Sequence, residues 1–231
     1  NFRDGDIDKY VLAAEELAKR GYYVIRMGTN AIRPLKSSNP KLIDYANLEM
    51  RSEFMDIYLS AKCIFCLTNS SGVDAVSLIF RRPIAQALVP LGLIQTYNEK
   101  DLTLIKHHIN KKNHKELTIS EIFSFNVALC STSEGFKQNG VELEENSPEE
   151  IRDLAIEMDE RLNENWKETK EDLLLQKKFW SIFEDMITRF RAKFNSTHFG
   201  DKAISFKKPL HGKIKSRFGA KFLRDNQHLI K

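Results

Sequence analysis

Cysteine is scarce in this chain of 231 residues: only Cys63, Cys66 and Cys130 occur. Three thiols cannot staple a small secreted fold, so a reducing, cytoplasmic setting is expected. No apolar run approaches the roughly 20 residues that a membrane span needs. The opening residues lack the basic start, apolar centre and small-residue cleavage site of a secretory leader. Collagen-type, heptad and other short-period repeats are also missing. So are the two commonest phosphate-binding fingerprints: there is no GxxxxGK loop, and no GxGxxG turn of the kind a dinucleotide redox enzyme would carry. What is present is ordinary globular material. Hydrophobic residues make up 42%, charged residues 29%, and 15 phenylalanines with the aliphatics suffice for a core, which excludes disorder as the overall description. The length suits one large α/β domain or a modest domain with an appendage. The first residue is Asn1, followed directly by a polar turn, and we expect a fragment whose upstream lobe is missing.

The net charge of +4 is unevenly spread. Residues 142–185 carry 15 Asp/Glu against six Lys/Arg, whereas residues 186–231 carry 12 Lys/Arg against two acids. An acidic stretch and a basic tail can neutralise each other in the fold. The tail could instead face anionic lipid at the inner face of a membrane, or a second lobe. Nucleic acid is disfavoured as a partner, because no recognised binding motif occurs and aromatic residues are not interleaved with the basic ones.

Hydrophobic spacing predicts a helix over residues 6–20, with Asp6 as cap and Gly21 as stop. A strand over 22–27 follows, ended by Gly28, then a loop over 29–41 and a short strand at 43–45. A helix over 51–60 leads to a strand over 63–67 (CIFCL), whose unbroken apolar run suits burial on both faces. A helix over 72–80 and a strand over 84–89 (IAQALV) complete an alternation that implies parallel strands with crossover helices. Residues 90–117 are irregular and polar and read as a long loop. Thr118 to Glu121 and Ser147 to Glu150 are capping boxes, the second with Pro148 in the first helical position. Further helices are expected over roughly 170–190 and, after a linker at 195–209, as a basic helix over 210–224. The expected fold is an α/β, Rossmann-like parallel sheet with flanking helices over 1–165, followed by an α-helical extension with a basic tail over 166–231.

The turn Thr68-Asn69-Ser70-Ser71-Gly72 lies between a strand and a helix, at the carboxyl end of a parallel strand, where open α/β sheets bind ligands. Small hydroxyl residues and helix-start N–H groups there suit phosphate oxygens. The plain alternative is a helix cap with a tight turn. Arg26, next to Gly28, could reach a phosphate from a strand end, or could be a surface arginine. Asp4, Asp6 and Asp8 invite a divalent metal, although capping and the helix dipole explain acids at a helix start equally well. His107, His108 and His114 are expected in a solvated loop, because a zinc site would need a further partner. Cys63 and Cys66 are expected as core residues on opposite strand faces. His211 is a weak catalytic candidate, and no general base or metal site is assigned.

Several of these segments resemble one family. RDGDIDKY, GYYVIRMG, LIDYANLEMRSEFMDIYLSAKCIF, TNSSGVDAVSLIFRRPI with VPLG, the ENSPEEI helix start and LHGKIKSRFGAKFL together resemble bacterial glycosyltransferases of surface-polysaccharide gene clusters, a GT-B-like group. The likeness runs in order along nearly the whole chain. It implies a two-lobed enzyme whose carboxyl-terminal lobe, most of it present here, holds a nucleotide-sugar and passes the sugar to a polysaccharide or glycolipid acceptor. It implies diphosphate contacts at Arg26, Gly28, Asn69, Ser70, Ser71 and Gly72, and ribose or base contacts at Asp74, Pro90 and Leu91. No cofactor is implied beyond the nucleotide-sugar substrate, the leaving diphosphate being stabilised by amides and basic side chains in place of a metal. The acceptor-activating base would come from the upstream lobe. A nucleotide-sugar epimerase or hydrolase on the same fold, and a non-catalytic binding or scaffold module, stay open as alternatives.

Overall fold

A computed structural model describes residues 2–29, 31, 33–128, 130, 132–195 and 214–231. Helix α1 (Asp8–Lys19) buries Ala13, Ala14, Leu17 and Ala18 on one face. The cap falls at Ile7, one residue after the expected Asp6, and has no side-chain cap bond; the Asp6 carboxylate accepts the Asp8 N–H at 3.0 Å just outside the helix. Gly21 ends the helix with φ +103, and the Tyr22 N–H returns to the Leu17 carbonyl, as a left-handed glycine stop allows. Strand β1 (Val24–Ile25) pairs in parallel with β2 (Leu42–Ile43). Helix α2 (Glu53–Lys62) is capped by Ser52, whose hydroxyl accepts the Met55 N–H.

The main sheet has the order β3 (Cys66–Thr68), β4 (Ile84–Val89), β5 (Leu102–Ile105), β8 (Arg217–Phe218), and every neighbouring pair is parallel. Helix α3 (Asp74–Ile79) connects β3 to β4. Beyond β5 lie β6 (His107–Asn110), α4 (Ile119–Ser124), α5 (Ser133–Gln138) and β7 (Val141–Glu144), with β6 and β7 antiparallel. Helix α6 (Pro148–Leu162) packs along α1, and α7 (Lys170–Asn195) packs on α4 and on α8 (Ala220–Asp225). The expected mixed α/β architecture, with a parallel sheet and flanking helices, is what the chain adopts. Both capping boxes form as expected, at Thr118 with Glu121 and at Ser147 with Glu150.

Four expectations need correction. The strand expected over 63–67 is shorter, is shifted to Cys66–Thr68 and is only partly buried, because it forms one edge of the sheet, with Ile64 exposed before it. Cys63 belongs to the end of α2 instead. The loop expected over 90–117 contains β5, buried at all four positions, and β6. Its flanking charges read as loop, yet the Asp101 carboxylate is fully buried and accepts the N–H groups of Ile84 and Asn98, both at 2.9 Å. His107 and His108 consequently lie on a strand, not in a solvated loop. From Arg217 the tail is strand and then helix, so the chain beyond residue 165 adds a strand to the parallel sheet. The linker expected at 195–209, the start of the expected last helix and His211 lie, apart from Asn195, outside the described residues.

Phe218 of β8 meets Phe179 of α7 with ring centroids 4.0 Å apart, and both rings are fully buried. Gln176 pairs with both backbone groups of Phe218 and so closes the free edge of this strand. A Cβ at Gly219 would come within 2.7 Å of a Leu104 methyl, so a side chain there would displace the packing between β8 and β5. Among the described residues, basic side chains near the end of the chain meet acids of the acidic stretch: Arg224 pairs with Asp172, Arg217 with Glu168, and Lys221 lies 3.9 Å from Asp153. Among the described residues, no helix is long and apolar enough to cross a membrane.

Candidate functional site

The carboxyl ends of β3, β4 and β5 converge under the opening segment, residues 3–8, which lies across them as a strap. Arg3 donates from Nη2 to the Ser70 carbonyl at 3.0 Å, and the Asn69 amide donates back to the Arg3 carbonyl at 3.3 Å. A Cβ at Gly5 would stand 2.9 Å from the tip of Leu88 and 3.0 Å from the Asn69 amide, so strap and sheet approach closely here and a side chain at this position would press those two tips aside. Lys106, directly after β5, donates from Nζ to the Asp4 carbonyl at 2.7 Å and lies 3.9 Å from a Glu145 oxygen. Its side chain is 4% exposed. Burial pushes its pKa down, opposed by the charges of Glu145 and Asp4.

The far end of the strap is tied to the loop between β1 and β2. Asp6 pairs with Arg33, and Asp8 accepts from Lys36 at 2.6 Å. Arg26, at the end of β1, donates to the Arg33 carbonyl at 2.6 Å and lies 3.2 Å from Asp44. It is therefore a half-sequestered strut of this loop, not a surface arginine. Gly28 takes φ +143, a backbone conformation open to glycine. Asp6 and Asp8 face basic partners, and among the described residues no group of three His, Cys, Asp or Glu is placed to hold a metal.

The turn at residues 69–72 is built as follows. Ser70 is buried with φ +64, and its N–H donates to the Thr68 hydroxyl at 3.2 Å. That hydroxyl donates to Asp74 at 3.1 Å. Burial raises the Asp74 carboxyl above its ordinary value, while Thr68, the adjoining N–H groups of Ala75 and Asp74 itself, and the charge of Arg3 oppose the shift. The helix starts at Asp74, two residues later than expected, and its first turn already holds this carboxylate. Ser71 and Gly72 are exposed. Pro90 and Leu91 follow β4 at the same edge, but Leu91 is 1% exposed and belongs to the core, so its side chain is not presented to a base. The structure thus brings Asn69, Ser70 and Asp74 together with Arg3 and Lys106, and leaves Arg26 and Gly28 at the neighbouring β1 end.

Two residues of this edge escape a linear reading. Lys106 sits in a stretch that reads as loop, and only its long-range partner Asp4 marks it. Tyr10 of α1 has its hydroxyl buried without a hydrogen-bond partner. Burial drives its pKa upward, and the charges of Glu145, Cys66 and Asp74 add to the shift. Burial also pushes the Cys66 thiol up to about 12.

A second polar cluster lies elsewhere, where β6, α6 and the C-terminal turn meet. His107 donates from Nδ1 to Glu116 at 2.6 Å and from Nε2 to Glu150 at 3.1 Å. His228 donates to the other Glu116 oxygen at 2.6 Å. Burial alone would lower the His107 pKa, but the two carboxylates overcome it and hold the ring protonated, with a pKa of about 10.

Fold and edge together define a mixed α/β protein whose polar groups converge at the carboxyl ends of parallel strands. Comparison with protein-family models, with curated proteins and with solved structures gives no match for this chain.

Proposed function

We propose that this chain is the nucleotide-sugar-binding lobe of a GT-B-like glycosyltransferase acting on a polysaccharide or glycolipid acceptor. The observation that carries this reading is the Arg3–Ser70 contact. Two motifs of the family resemblance, RDGD and TNSSG, lie 67 residues apart in the chain, yet they meet at the carboxyl edge of a parallel sheet, the usual ligand position of open α/β folds. Arg3 and Lys106 supply positive charge at this edge, with Arg26 and Arg33 at its β1 end. In sugar transfer the bond from the anomeric carbon to the diphosphate oxygen breaks, and negative charge grows on the leaving nucleoside diphosphate. Fixed cations and N–H donors aimed at those oxygens lower the barrier. The acceptor hydroxyl would lose its proton to a base outside this chain.

Calorimetry of the protein with UDP, GDP, ADP and CMP tests the reading. Saturable binding of at least one is expected; no binding of any of the four defeats it. A donor sugar incubated without acceptor should persist, because its epimerisation or hydrolysis would favour those chemistries over transfer.

One observation favours a second reading, a non-catalytic binding module. The Ser70 N–H and the first turn of α3 are satisfied by Thr68 and Asp74, so the turn is complete without a phosphate. Nucleotide binding with no sugar transfer to any glycan acceptor, in the presence of the upstream lobe, would select it.

A further inference from the structure

The strap over the sheet edge has an unusual composition for a segment covering a core. Its fixings are polar and point in several directions: Arg3 to the Ser70 carbonyl, the Asp4 carbonyl to Lys106, Asp6 to Arg33, and Asp8 to Lys36. Beneath it lies the buried ammonium of Lys106. The partners described for that charge are a neutral main-chain carbonyl at 2.7 Å and a carboxylate oxygen 3.9 Å away, with the charge of Asp4 also acting on it. A buried cation is ordinarily met by a close anion or by several acceptors. The Tyr10 hydroxyl, also buried and unpartnered, is influenced by the same Glu145 and by Asp74. The segment is therefore laid over a buried cation whose closest described partner is the strap's own backbone.

We infer that residues 3–6 are a self-blocking strap: the Asp4 carbonyl stands at Lys106 where an oxygen of an anionic, phosphate-bearing ligand binds, and the strap must lift for that ligand to enter. This rests on the nucleotide-sugar reading above and adds to it the cation that receives the ligand and the element that controls access. Exchanging a neutral carbonyl for a phosphate oxygen gives the buried ammonium an anionic partner at hydrogen-bond distance, which the strap's backbone does not supply. Segments held by few apolar contacts open at low free-energy cost. Lifting residues 3–6 also parts Arg3 from the Ser70 carbonyl.

The geometry supplies its own test. A Cβ built at Gly5 lies 3.5 Å from the Asn69 Cβ, within the roughly 3.5–4.5 Å span that a disulfide bridges. In the Gly5→Cys, Asn69→Cys double variant, oxidation locks the strap down and reduction releases it. The reduced form should bind inorganic pyrophosphate at least ten-fold more tightly than the oxidised form of the same protein. Equal affinity in the two redox states overturns the strap and leaves the nucleotide-sugar reading standing. No pyrophosphate or nucleoside diphosphate binding to the wild-type chain overturns both.

Because Asn69 can itself touch the ligand, hydrogen exchange on the wild-type chain provides a second decision. Saturating pyrophosphate should speed exchange of the amides of residues 4–8 several-fold. Binding with unchanged or increased protection there overturns the inference.

Discussion

His228, in the last turn of the chain, donates to one oxygen of Glu116 at 2.6 Å while His107 donates to the other at the same distance. One carboxylate thus clasps the C-terminal turn to β6, and Glu150 at the head of α6 holds the far side of His107. The cluster makes stability depend on pH in a definite direction. His107 has its pKa raised from 6.5 to about 10, so its contribution is complete below about pH 6.5 and is lost as pH rises through about 10. Burial would raise the Glu116 and Glu150 carboxyls, but bonding to protonated His107 holds both below the ordinary 4.5. Their contribution is complete above about pH 4.5 and is lost as pH falls through their lowered values. Urea unfolding of wild type and of His107→Gln should differ by about 3 kcal/mol near neutral pH, as for loss of one partner of a buried charge pair. The difference should shrink steadily above about pH 6.5. A pH-independent difference would mean that packing, not charge, is what His107 contributes.

Lys106 should separate binding from stability. Lys106→Met keeps the apolar stem and removes a desolvated charge, but leaves the Asp4 carbonyl without its donor, so gain and loss in stability largely offset. Melting temperature should therefore stay close to that of wild type, while pyrophosphate affinity falls ten-fold or more, which is about 1.4 kcal/mol. A melting temperature several degrees lower with unchanged affinity would make Lys106 a structural anchor of the strap alone.

Local signals were legible before the structure, and long-range ones were not. The mostly apolar run of β4 and the two capping boxes depend on residues within five positions of one another. The turn at 68–72 was legible for the same reason. Strand β5 was not, because Asp101 and Lys106 look like loop charges until their partners Ile84, Asn98 and Asp4 are known. Strand β8 has two residues, too few to show any period, and its place in the sheet depends on Gln176 and Phe179 more than 35 residues earlier. At the candidate site, the composition of the turn was visible, but the Arg3–Ser70 and Lys106–Asp4 contacts span 67 and 102 residues.

Asn146 links the sheet edge to the α6 head. It is fully buried; its carbonyl accepts the Leu88 N–H at 3.1 Å and its amide donates to the Ile105 carbonyl at 2.9 Å. It thereby bridges β4 and β5 where their register shifts between Gln86 and Val89. Leu88 takes φ +58 there, a strained conformation for a branched residue that its surroundings must hold in place. Asn146→Ala leaves one buried donor and one buried acceptor unpaired and should cost about 2–3 kcal/mol. Leu88 also packs under Gly5, so the same variant should speed amide exchange in residues 3–8. A loss below 0.5 kcal/mol in urea unfolding would show that the bulge holds itself.

The tail decides whether the sheet can stand without its last strand. Phe218 is fully buried against Phe179, and β8 occupies the edge next to β5. Phe218→Ala should cost about 3–5 kcal/mol, as for a large aromatic lost from a core. Deleting residues 214–231 does more than remove that ring. It uncovers the backbone edge of β5, and unpaired edges of buried apolar strands pair with other chains. It also strips Glu157 of the Ala220 N–H that it accepts at 2.7 Å, Asp172 of Arg224, and Glu116 of His228. Each is a buried or half-buried carboxylate that loses a partner in the same step. The truncated chain should therefore lose its cooperative unfolding transition and aggregate, whereas an independent helical appendage would leave the remaining domain with its urea midpoint unchanged.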